Sequence, residues 1–312
     1  MPDTALASQK FTDPVRTAKG ETRATVFLRN LETLWFNTGT LCNLACANCY
    51  IESTPKNDSL VYLSTAEVER YLDEIALTGL GTREIGLTGG EPFMNPDCIK
   101  IMDMALSRGF KLLVLSNAMK PMQHKQAALL DLHKRFGDQL SLRISVDHFT
   151  PELHEEERGP RSFAPMLEGL GWLSRNGFNL SVAGRTRWTE NEADLRRGYE
   201  KLFKAHGIEI DAHDPVRLIL FPEMDDEAEV PEITTKCWNI LHVNPDDMMC
   251  ATSRMVVKRK GDDRPSVQAC TLLAYDQRFN LGETLAEAAQ DVPLNHPHCA
   301  KFCVLGGGSC SG

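Results

Sequence analysis

The chain has 312 residues, of which 42% are hydrophobic and 25% are charged, and its formal net charge is -9 at pH 7. A chain of this length and composition buries a core of its own, which excludes disordered and fibrous classes. Its negative charge, without any basic run interleaved with aromatic residues, argues against nucleic acid as a partner. We find no secretory signal and no stretch of the ~18 apolar residues that span a membrane, so we expect a cytoplasmic protein without a membrane partner.

Ten cysteines are a high number for a chain without an export signal. Disulfides do not persist in a reducing compartment, so ligation of a metal or a cluster explains these cysteines better. Cys98 and Cys237 stand alone. The other cysteines predict two sites. The first site would contain Cys42, Cys46 and Cys49, and the second, towards the end of the chain, would draw on Cys250, Cys270, Cys299, Cys303 and Cys310.

Along the chain, residues 1–33 are too few to fold independently, and we assign no function to them. From residue 34 to residue 221, short apolar runs alternate with amphipathic segments, which is typical of repeated βα units around a parallel sheet. This pattern predicts six strands, at Leu34–Asn37, Glu84–Thr88, Lys111–Ser116, Ser141–Val146, Asn179–Ala183 and Val216–Phe221.

Helices are predicted between these strands. Ser64 and Glu67 have the spacing of a capping box, and apolar residues then recur at helical spacing. Further helices are predicted at Asp97–Arg108, Met122–Arg135, Ala164–Arg175 and Asn191–Ala205. Six βα units are too few to close the usual eight-stranded barrel. We therefore predict an α/β fold, a partial (β/α)6 TIM-like barrel over residues 34–221, with the functional site on the loops that follow the strands.

The alternation ends after Phe221 at an acidic stretch, and we place a domain boundary there. Residues 222–312 would then form a small, cysteine-rich C-terminal extension. Strands at Met248–Lys260 and Ser266–Leu273 are predicted to form a hairpin around a turn at Gly261–Arg264.

The first cysteine group has the spacing C-x3-C-x2-C and follows the first predicted strand. Three thiolates on one loop can hold three irons of a 4Fe-4S cluster and leave the fourth iron without a protein ligand. A structural zinc loop and buried, unliganded cysteines are the alternatives. Zinc sites usually pair two C-x2-C-like units, whereas a local fourth thiol is missing here. The loop therefore favours a cluster with one open iron.

This cysteine loop, followed by Tyr50, resembles that of the radical S-adenosylmethionine (SAM) superfamily, and the resemblance extends across most of the chain. Leu87–Pro92, after the second predicted strand, is similar to that family's Gly-Gly-Glu-Pro motif. The resemblance implies an enzyme whose 4Fe-4S cluster binds SAM and cleaves it reductively to a 5'-deoxyadenosyl radical, which abstracts a substrate hydrogen. Glycines let the backbone approach a ligand, and a carboxylate can hold the ammonium of SAM, so Gly89, Gly90 and Glu91 are cofactor-binding candidates.

Two further segments match the family less closely. Asn117 stands in a segment similar to the family's Thr-Asn-Gly, and Ser145 and Asp147 are similar to its Ser-x-Asp-Gly, whose polar side chains approach the SAM ribose. All three are candidates for SAM binding. His148 replaces the glycine of the second motif. It is a candidate general acid or base, and the alternative is a surface or hydrogen-bonded histidine.

Three arginines are candidates for a salt bridge with the SAM carboxylate. Arg158 belongs to a stretch similar to the family's His-x-x-x-Arg-Gly, and Arg161 follows it closely. Arg185 ends the fifth predicted strand, at the expected barrel mouth. A solvated ion pair is the alternative for each of them.

The C-terminal cysteines resemble the twitch domain, the shorter relative of the SPASM extension of radical SAM enzymes. The resemblance implies a second 4Fe-4S cluster held by four thiolates from Cys250, Cys270, Cys299 and Cys303, any one of which Cys310 could replace. Four thiolates satisfy tetrahedral zinc equally well, and this alternative stays open.

Cys237, near the predicted domain junction, is a candidate that donates a hydrogen atom to a substrate radical or binds the second cluster.

Twitch and SPASM relatives suggest ribosomally made peptides or small metabolites as substrates. Since peptide-modifying relatives often carry an extra leader-binding domain, for which the short N-terminus leaves no room, a small molecule is favoured. A reducing electron donor such as flavodoxin or ferredoxin is the expected partner. The alternative from another class, a noncatalytic iron–sulfur carrier or zinc-stabilised binding module, explains the cysteines but not the Gly-Gly-Glu loop.

Overall fold

The structure is a computed structural model that describes residues 9–223 and 229–307. Within these ranges the strands are β1 (Thr25–Val26), β2 (Thr33–Asn37), β3 (Glu84–Thr88), β4 (Lys111–Ser116), β5 (Leu140–Ser145), β6 (Asn179–Arg185), β7 (Leu218–Phe221), β8 (Ser253–Val257), β9 (Ser266–Gln268) and β10 (Val292–Pro293).

The helices alternate with the strands of the first two thirds. They are α1 (Thr65–Thr78), α2 (Cys98–Ser107), α3 (Lys120–Gln123), α4 (Gln126–Phe136), α5 (Pro151–Arg158), α6 (Phe163–Arg175), α7 (Glu192–His206), α8 (Cys237–Leu241) and α9 (Met249–Thr252), and Cys299–Val304 forms a π-helix. Within residues 9–223 and 229–307, no helix is long and apolar enough to cross a bilayer.

The main sheet has the order β7-β6-β5-β4-β3-β2-β8-β9 and is parallel from β7 to β8. The six predicted strands are its first six members, each within two residues of its predicted ends. All five residues of β2 are buried, as a parallel sheet covered on both faces requires. The predicted α/β fold with an open, partial barrel is confirmed.

Helix α1 begins at the predicted capping box. The Ser64 hydroxyl accepts from the backbone N–H of Glu67, whose carboxylate accepts from the backbone N–H of Ser64 at 2.9 Å. The helix ends at Gly79, whose φ of 63° is the left-handed conformation that glycine adopts without a Cβ penalty. It packs its apolar face, including Val68 and Leu72, into the core.

Two helix predictions differ from the structure. The predicted helix over Met122–Arg135 is two helices, α3 and α4, because the backbone N–H of Lys125 bonds three residues back to Met122 at 2.8 Å and tightens the chain there. Helix α5 was not predicted, since its sequence is mostly acidic and offers little apolar periodicity.

The C-terminal cysteine-rich region continues the barrel sheet, because β8 pairs in parallel with β2 and antiparallel with β9. The predicted hairpin is present but short. Met249–Thr252 is helical rather than extended, since Ser253 Oγ donates to the Met249 carbonyl at 2.8 Å, and β9 stops at Gln268. Strand β1 pairs with β10, which ties the N-terminal segment to the C-terminal region. The boundary at residue 222 therefore stays a prediction.

Candidate active site

A cavity opens at the carboxyl ends of the barrel strands, where the sheet topology brings the loops together. Its wall combines the first cysteine group, most of the candidate cofactor-binding residues and an apolar rim: Cys42, Cys46, Cys49, Tyr50, Ile51, Ser53, Thr88, Gly89, Gly90, Leu115, Ser116, Asn117, Arg143, Ser145, Asp147, Arg158, Ala183, Gly184, Arg185, Phe221, Pro222, Leu272 and Phe302.

The cysteine loop places its three thiols on this wall. Backbone N–H groups point at two of the sulfurs, since Leu44 donates to Cys42 Sγ and Ser53 donates to Cys49 Sγ, both at 3.4 Å. Burial raises the pKa of Cys42 to about 12, and burial raises that of Cys46 as well, while Arg158 lowers both. Thiolates are therefore costly here without a bound cation, and metal binding would drive their deprotonation.

The glycines after β3 hold the cysteine loop by backbone contact. Gly90 N–H donates to the Gly39 carbonyl at 2.8 Å, and the N–H of Glu91 donates to the Leu41 carbonyl at 3.2 Å. A Cβ at Gly90 would lie 2.2 Å from the Leu41 carbonyl oxygen, and one at Gly89 would lie 2.6 Å from that of Gly39. Both glycines line the cavity, but their immediate requirement is the close approach of two loops.

Glu91 lies behind the cavity wall and is 1% exposed. Its carboxylate accepts from Ser116 Oγ at 3.0 Å, from Asn117 N–H at 2.9 Å and from Phe93 N–H at 3.3 Å. Burial raises its pKa to about 7, and these donors oppose the rise. The side chain thus joins the loop after β3 to the end of β4, and its predicted contact with SAM stays a prediction.

Asp147 and two arginines, which also line the cavity, form an ion-pair network. Arg158 binds both carboxylate oxygens of Asp147, and Arg185 Nε lies 3.4 Å from Asp147 Oδ1. Burial raises the pKa of Asp147, but Arg158 and Arg185 together hold it below its usual value. Arg161 is exposed outside this wall, with a positive φ of 64°.

The two candidate catalytic residues lie outside the cavity wall. His148 is 0% exposed, and its Nδ1 accepts from the backbone N–H of Thr150 at 3.0 Å while Nε2 lies 3.4 Å from Glu190 Oε1. Cys237 is half-buried, and its sulfur accepts from the backbone N–H of Thr234 at 3.3 Å. A role in hydrogen or proton transfer would need a substrate that reaches beyond the cavity, and Cys237, the alternative ligand for the second cluster, lines neither cysteine cavity.

A second, smaller cavity lies in the C-terminal region and is lined by Cys250, Cys270, Cys299 and Cys303, together with His298 and otherwise apolar side chains. Cys310 lies outside the described residues. Burial raises the pKa of Cys250 to about 11, which the buried Arg254 opposes. In the described ranges no group of three or more His, Cys, Asp or Glu side chains forms a site for a single metal ion. The four cysteines are grouped as one candidate site because they line the same cavity.

Comparison with known proteins identifies the family. The model of the radical SAM superfamily matches residues 36–197, which include the cysteine loop and both sides of the cavity wall up to Arg185. The chain belongs to the radical SAM superfamily. SAM and an iron–sulfur cluster are the cofactors of this family, and the three thiols on the cavity wall suit such a cluster.

Two curated relatives match about half of the chain. The antilisterial bacteriocin subtilosin biosynthesis protein AlbA of Bacillus subtilis (strain 168) is 34% identical over 143 residues, which are 46% of this chain and 30% of AlbA. The mycofactocin maturase MftC of Mycobacterium ulcerans (strain Agy99) is 31% identical over 137 residues, 44% of this chain and 35% of MftC. The radical SAM chain thus spans about a third of each relative's length in these matches.

Solved structures show the same fold. SuiB of Streptococcus suis bound to SAM has a TM-score of 0.60 at 11% identity, covering 82% of this chain and 64% of SuiB. SuiB bound to its precursor peptide SuiA has a TM-score of 0.57 at 13% identity, covering 81% of this chain and 62% of that one.

Sequence reasoning missed three polar residues of this radical SAM site. Ser116 binds Glu91, and Asn43 accepts from Asn117 Nδ2 at 2.9 Å beside the cysteine loop. Arg143 lines the cavity from β5. The alternation of Ser141, Arg143 and Ser145 along that strand was the available signal, because residues at a spacing of two share one face.

Proposed function

We propose that this chain is a radical SAM enzyme that cleaves SAM reductively and abstracts a hydrogen atom from a peptide substrate. The observation that carries the proposal is the single cavity that three spaced thiols share with Gly89, Gly90, Asp147 and Arg158. A 4Fe-4S cluster with one open iron, held by these thiols, would supply the single electron that cleaves SAM to methionine and a 5'-deoxyadenosyl radical.

The residues of the chain would divide the work around these cofactors. Cys42, Cys46 and Cys49 would hold three irons, and the charge of Arg158 would stabilise their thiolates. The backbone of Gly89 and Gly90 keeps the cysteine loop against β3, so that the thiols stay on the cavity wall. Asn117, Ser145, Asp147 and Arg185 offer polar groups to SAM on the same wall.

We also propose a second 4Fe-4S cluster in the C-terminal cavity, held by Cys250, Cys270, Cys299 and Cys303. Support comes from the four thiols that share one wall. Burial raises the pKa of Cys299, and the thiols of Cys270 and Cys250 raise it further, as thiols that lie close together do. Leu272 lines both cavities, so the second cluster would lie next to the substrate space. It could accept an electron or orient the substrate. Zinc is the competing occupant.

The proposed substrate class is supported by the substrates of similar proteins and by the apolar residues that line the rim of the first cavity. AlbA serves bacteriocin biosynthesis, and SuiB binds a precursor peptide on the same fold. The cavity rim carries Tyr50, Phe221, Leu272 and Phe302, with Phe221 and Phe302 stacked at 6.0 Å, which suits an apolar side chain of a peptide. These observations favour a peptide over the small molecule that was expected from the sequence.

The central test is anaerobic reconstitution with iron and sulfide, followed by metal counting and SAM cleavage under dithionite. We expect about eight irons in the wild type, as two 4Fe-4S clusters require. The triple variant Cys42→Ala/Cys46→Ala/Cys49→Ala should lose SAM cleavage and retain about four irons. SAM cleavage that survives the triple substitution would refute the proposal.

Two further measurements test its finer parts. Cys270→Ser/Cys299→Ser should remove about four irons and leave SAM cleavage intact, whereas zinc at this site in the wild type would refute the second cluster alone. For the substrate, deuterated precursor peptides encoded beside the gene should transfer deuterium to 5'-deoxyadenosine. Transfer from small metabolites alone would contradict a peptide substrate. A flavodoxin or ferredoxin that replaces dithionite would identify the electron donor.

A further inference from the structure

Glu157, near the C-terminal end of α5, carries a carboxylate that is fully buried. It lies outside the cavity wall, next to Arg158, which faces the cavity and pairs with Asp147. A buried charge persists only where it is paired and hydrogen-bonded, so the partners of Glu157 indicate what its position serves.

Those partners lie on the cysteine loop. The backbone carbonyl of Glu157 accepts from Ala47 N–H at 2.7 Å. Its carboxylate accepts from the backbone N–H of Asn48 at 2.9 Å and from Asn48 Nδ2 at 2.8 Å. Ala47 and Asn48 are the two residues that separate Cys46 from Cys49. Three hydrogen bonds that Glu157 accepts therefore fix the spacer between two of the thiols.

Two arginines compensate the charge and complete the contact. Arg187 Nη1 donates to Glu157 Oε2 at 3.0 Å, and Arg185 Nη2 lies 3.5 Å from Oε1. Arg185 Nη2 also donates to the Asn48 carbonyl at 3.0 Å. The spacer is thus held on its N–H side by Glu157 and on its carbonyl side by Arg185, which also contacts Asp147 on the cavity wall.

We infer that Glu157 is a positioning residue for the iron–sulfur cluster: it fixes Ala47 and Asn48 so that the thiols of Cys46 and Cys49 keep the separation that two cluster corners require. Its role resembles that of the outer residues that orient metal ligands in other proteins. The inference rests on the cluster of the family alone. It depends on neither the substrate nor the second cluster of the proposed function.

The test uses the full-length reconstituted protein and follows anaerobic release of iron to a chelator. Glu157→Ala should release iron from the first site about tenfold faster than the wild type, the scale on which outer residues act on metal affinity. The change of the cluster's electron paramagnetic resonance spectrum on SAM addition assigns the release to the cluster with the open iron. Glu156→Ala is the matched control, because Glu156 is 52% exposed and approaches only Arg187, at 3.8 Å, among its ion-pair partners in the described chain.

Two milder variants keep the test decisive if Glu157→Ala folds poorly. Glu157→Gln retains an oxygen for one Asn48 donor but loses the charge that faces Arg187, so it should accelerate release less than alanine does. Asn48→Ala removes the side-chain bond alone and should act in the same direction. The combined variant should show less than the sum of the two effects, since both remove one contact.

Three outcomes would overturn the inference. In the first, Glu157→Ala releases iron at the wild-type rate with an unchanged spectrum. In the second, both iron sites lose metal equally and the melting temperature falls in parallel, which would indicate general destabilisation. In the third, the wild type holds no cluster at the first site, which would overturn the proposed function as well. The first two leave the proposed function intact, so the two failures are distinguishable.

Discussion

The two cysteine sites of this chain differ in how their ligands are brought together. The first takes three thiols from one loop, at Cys42, Cys46 and Cys49, and places them on a wall shared with charged and polar side chains. The second gathers Cys250, Cys270, Cys299 and Cys303 from segments before β8, after β9 and in the π-helix, among Met, Leu, Phe and Val side chains. The charged and polar groups at the first cavity suit binding and reaction, and the more apolar lining of the second suits electron transfer or substrate support.

The arginine beside each site sharpens this contrast. Arg158 is ion-paired with the carboxylate of Asp147, which weakens but does not cancel its effect on the thiols of the first site. Arg254 donates instead to backbone carbonyls, those of Cys250, Ser253, Ala288 and Gln290. Among the described residues no carboxylate forms a salt bridge with it, and Asp291 acts on it only at longer range, so more of its positive charge reaches the thiols of the second site. Positive charge raises the reduction potential of an iron–sulfur cluster. We therefore expect the proposed second cluster to accept electrons more readily than the first.

Breaking the ion pair at the first site should have the largest effect. Arg158→Met leaves Asp147 buried with Arg185 as its remaining cation, and we expect a loss of about 4 kcal/mol in the free energy of unfolding, as for other broken buried pairs. Anaerobic urea unfolding of the reconstituted protein measures this loss. Arg161→Met, at the exposed candidate nearby, should change neither stability nor SAM affinity. Equal losses in the two variants would show that the network does not belong to the site.

The corresponding change at the second site should cost less. Arg254→Met removes hydrogen bonds to uncharged carbonyls rather than stranding a carboxylate, and we expect a loss of about 3 kcal/mol. The potential of the second cluster should fall while that of the first stays constant, as redox titration followed by electron paramagnetic resonance would show. Arg264→Met, at a side chain that is 68% exposed, is the control and should be silent. If the reduction potential of the second cluster stays constant in Arg254→Met, the charge of Arg254 does not set that potential.

A steric change tests the backbone contact between the loop after β3 and the cysteine loop of the first site. The added methyl of Gly90→Ala would meet the Leu41 carbonyl oxygen at 2.2 Å, so the cysteine loop must shift, at a cost of about 2 kcal/mol. Iron at the first site should fall with it, and iron at the second site should not. Gly171→Ala, where the methyl meets only the flexible end of Arg175 at 3.1 Å or beyond, should retain all its iron.

These contacts mark where prediction from sequence ended. The spacing of the cysteines and the Gly-Gly-Glu-Pro segment predicted the loops and their common cavity, since parallel strands end at one edge of the sheet. The predicted approach of Gly89 and Gly90 to a ligand stays a prediction, and the structure adds a second reason for Gly90: it admits the Leu41 carbonyl, which is far away in sequence and is brought close only by the fold. Likewise, the pairing of β8 with β2 depends on long-range geometry that local periodicity does not encode.

The directions in which the side chains of the motifs point could also not be predicted from the sequence. His148 follows Asp147 directly, yet Asp147 lines the cavity while His148 is buried against Thr150 and Glu190. Adjacent residues in extended chain point to opposite sides, so motif position alone does not place a side chain in the cavity. Helix α5 escaped prediction because its acidic surface lacks apolar periodicity, although it supplies Arg158 to the site.

The smallest predicted effect concerns Ser116, and it depends on pH. The pKa of Glu91 in the folded protein is about 7, above its usual 4.5, so its contribution to stability is complete below about 4.5 and is lost as pH rises through about 7. Ser116→Ala removes a donor to the carboxylate, which raises this pKa further. We expect a loss of about 1 kcal/mol above pH 7 and a smaller loss below it, where the protonated acid needs the donor less.

Urea unfolding at about pH 8 and about pH 5.5, on either side of the Glu91 pKa, measures the difference. Ser141→Ala is the matched control, because the Ser141 hydroxyl donates to the Leu112 carbonyl at 3.1 Å and its loss should cost the same at both values. A pH-independent effect of Ser116→Ala would mean that Glu91 is already ionised at the lower pH. Its carboxylate would then be available throughout this range, as the predicted contact with SAM requires, and the serine would act as an ordinary strand-end hydrogen bond.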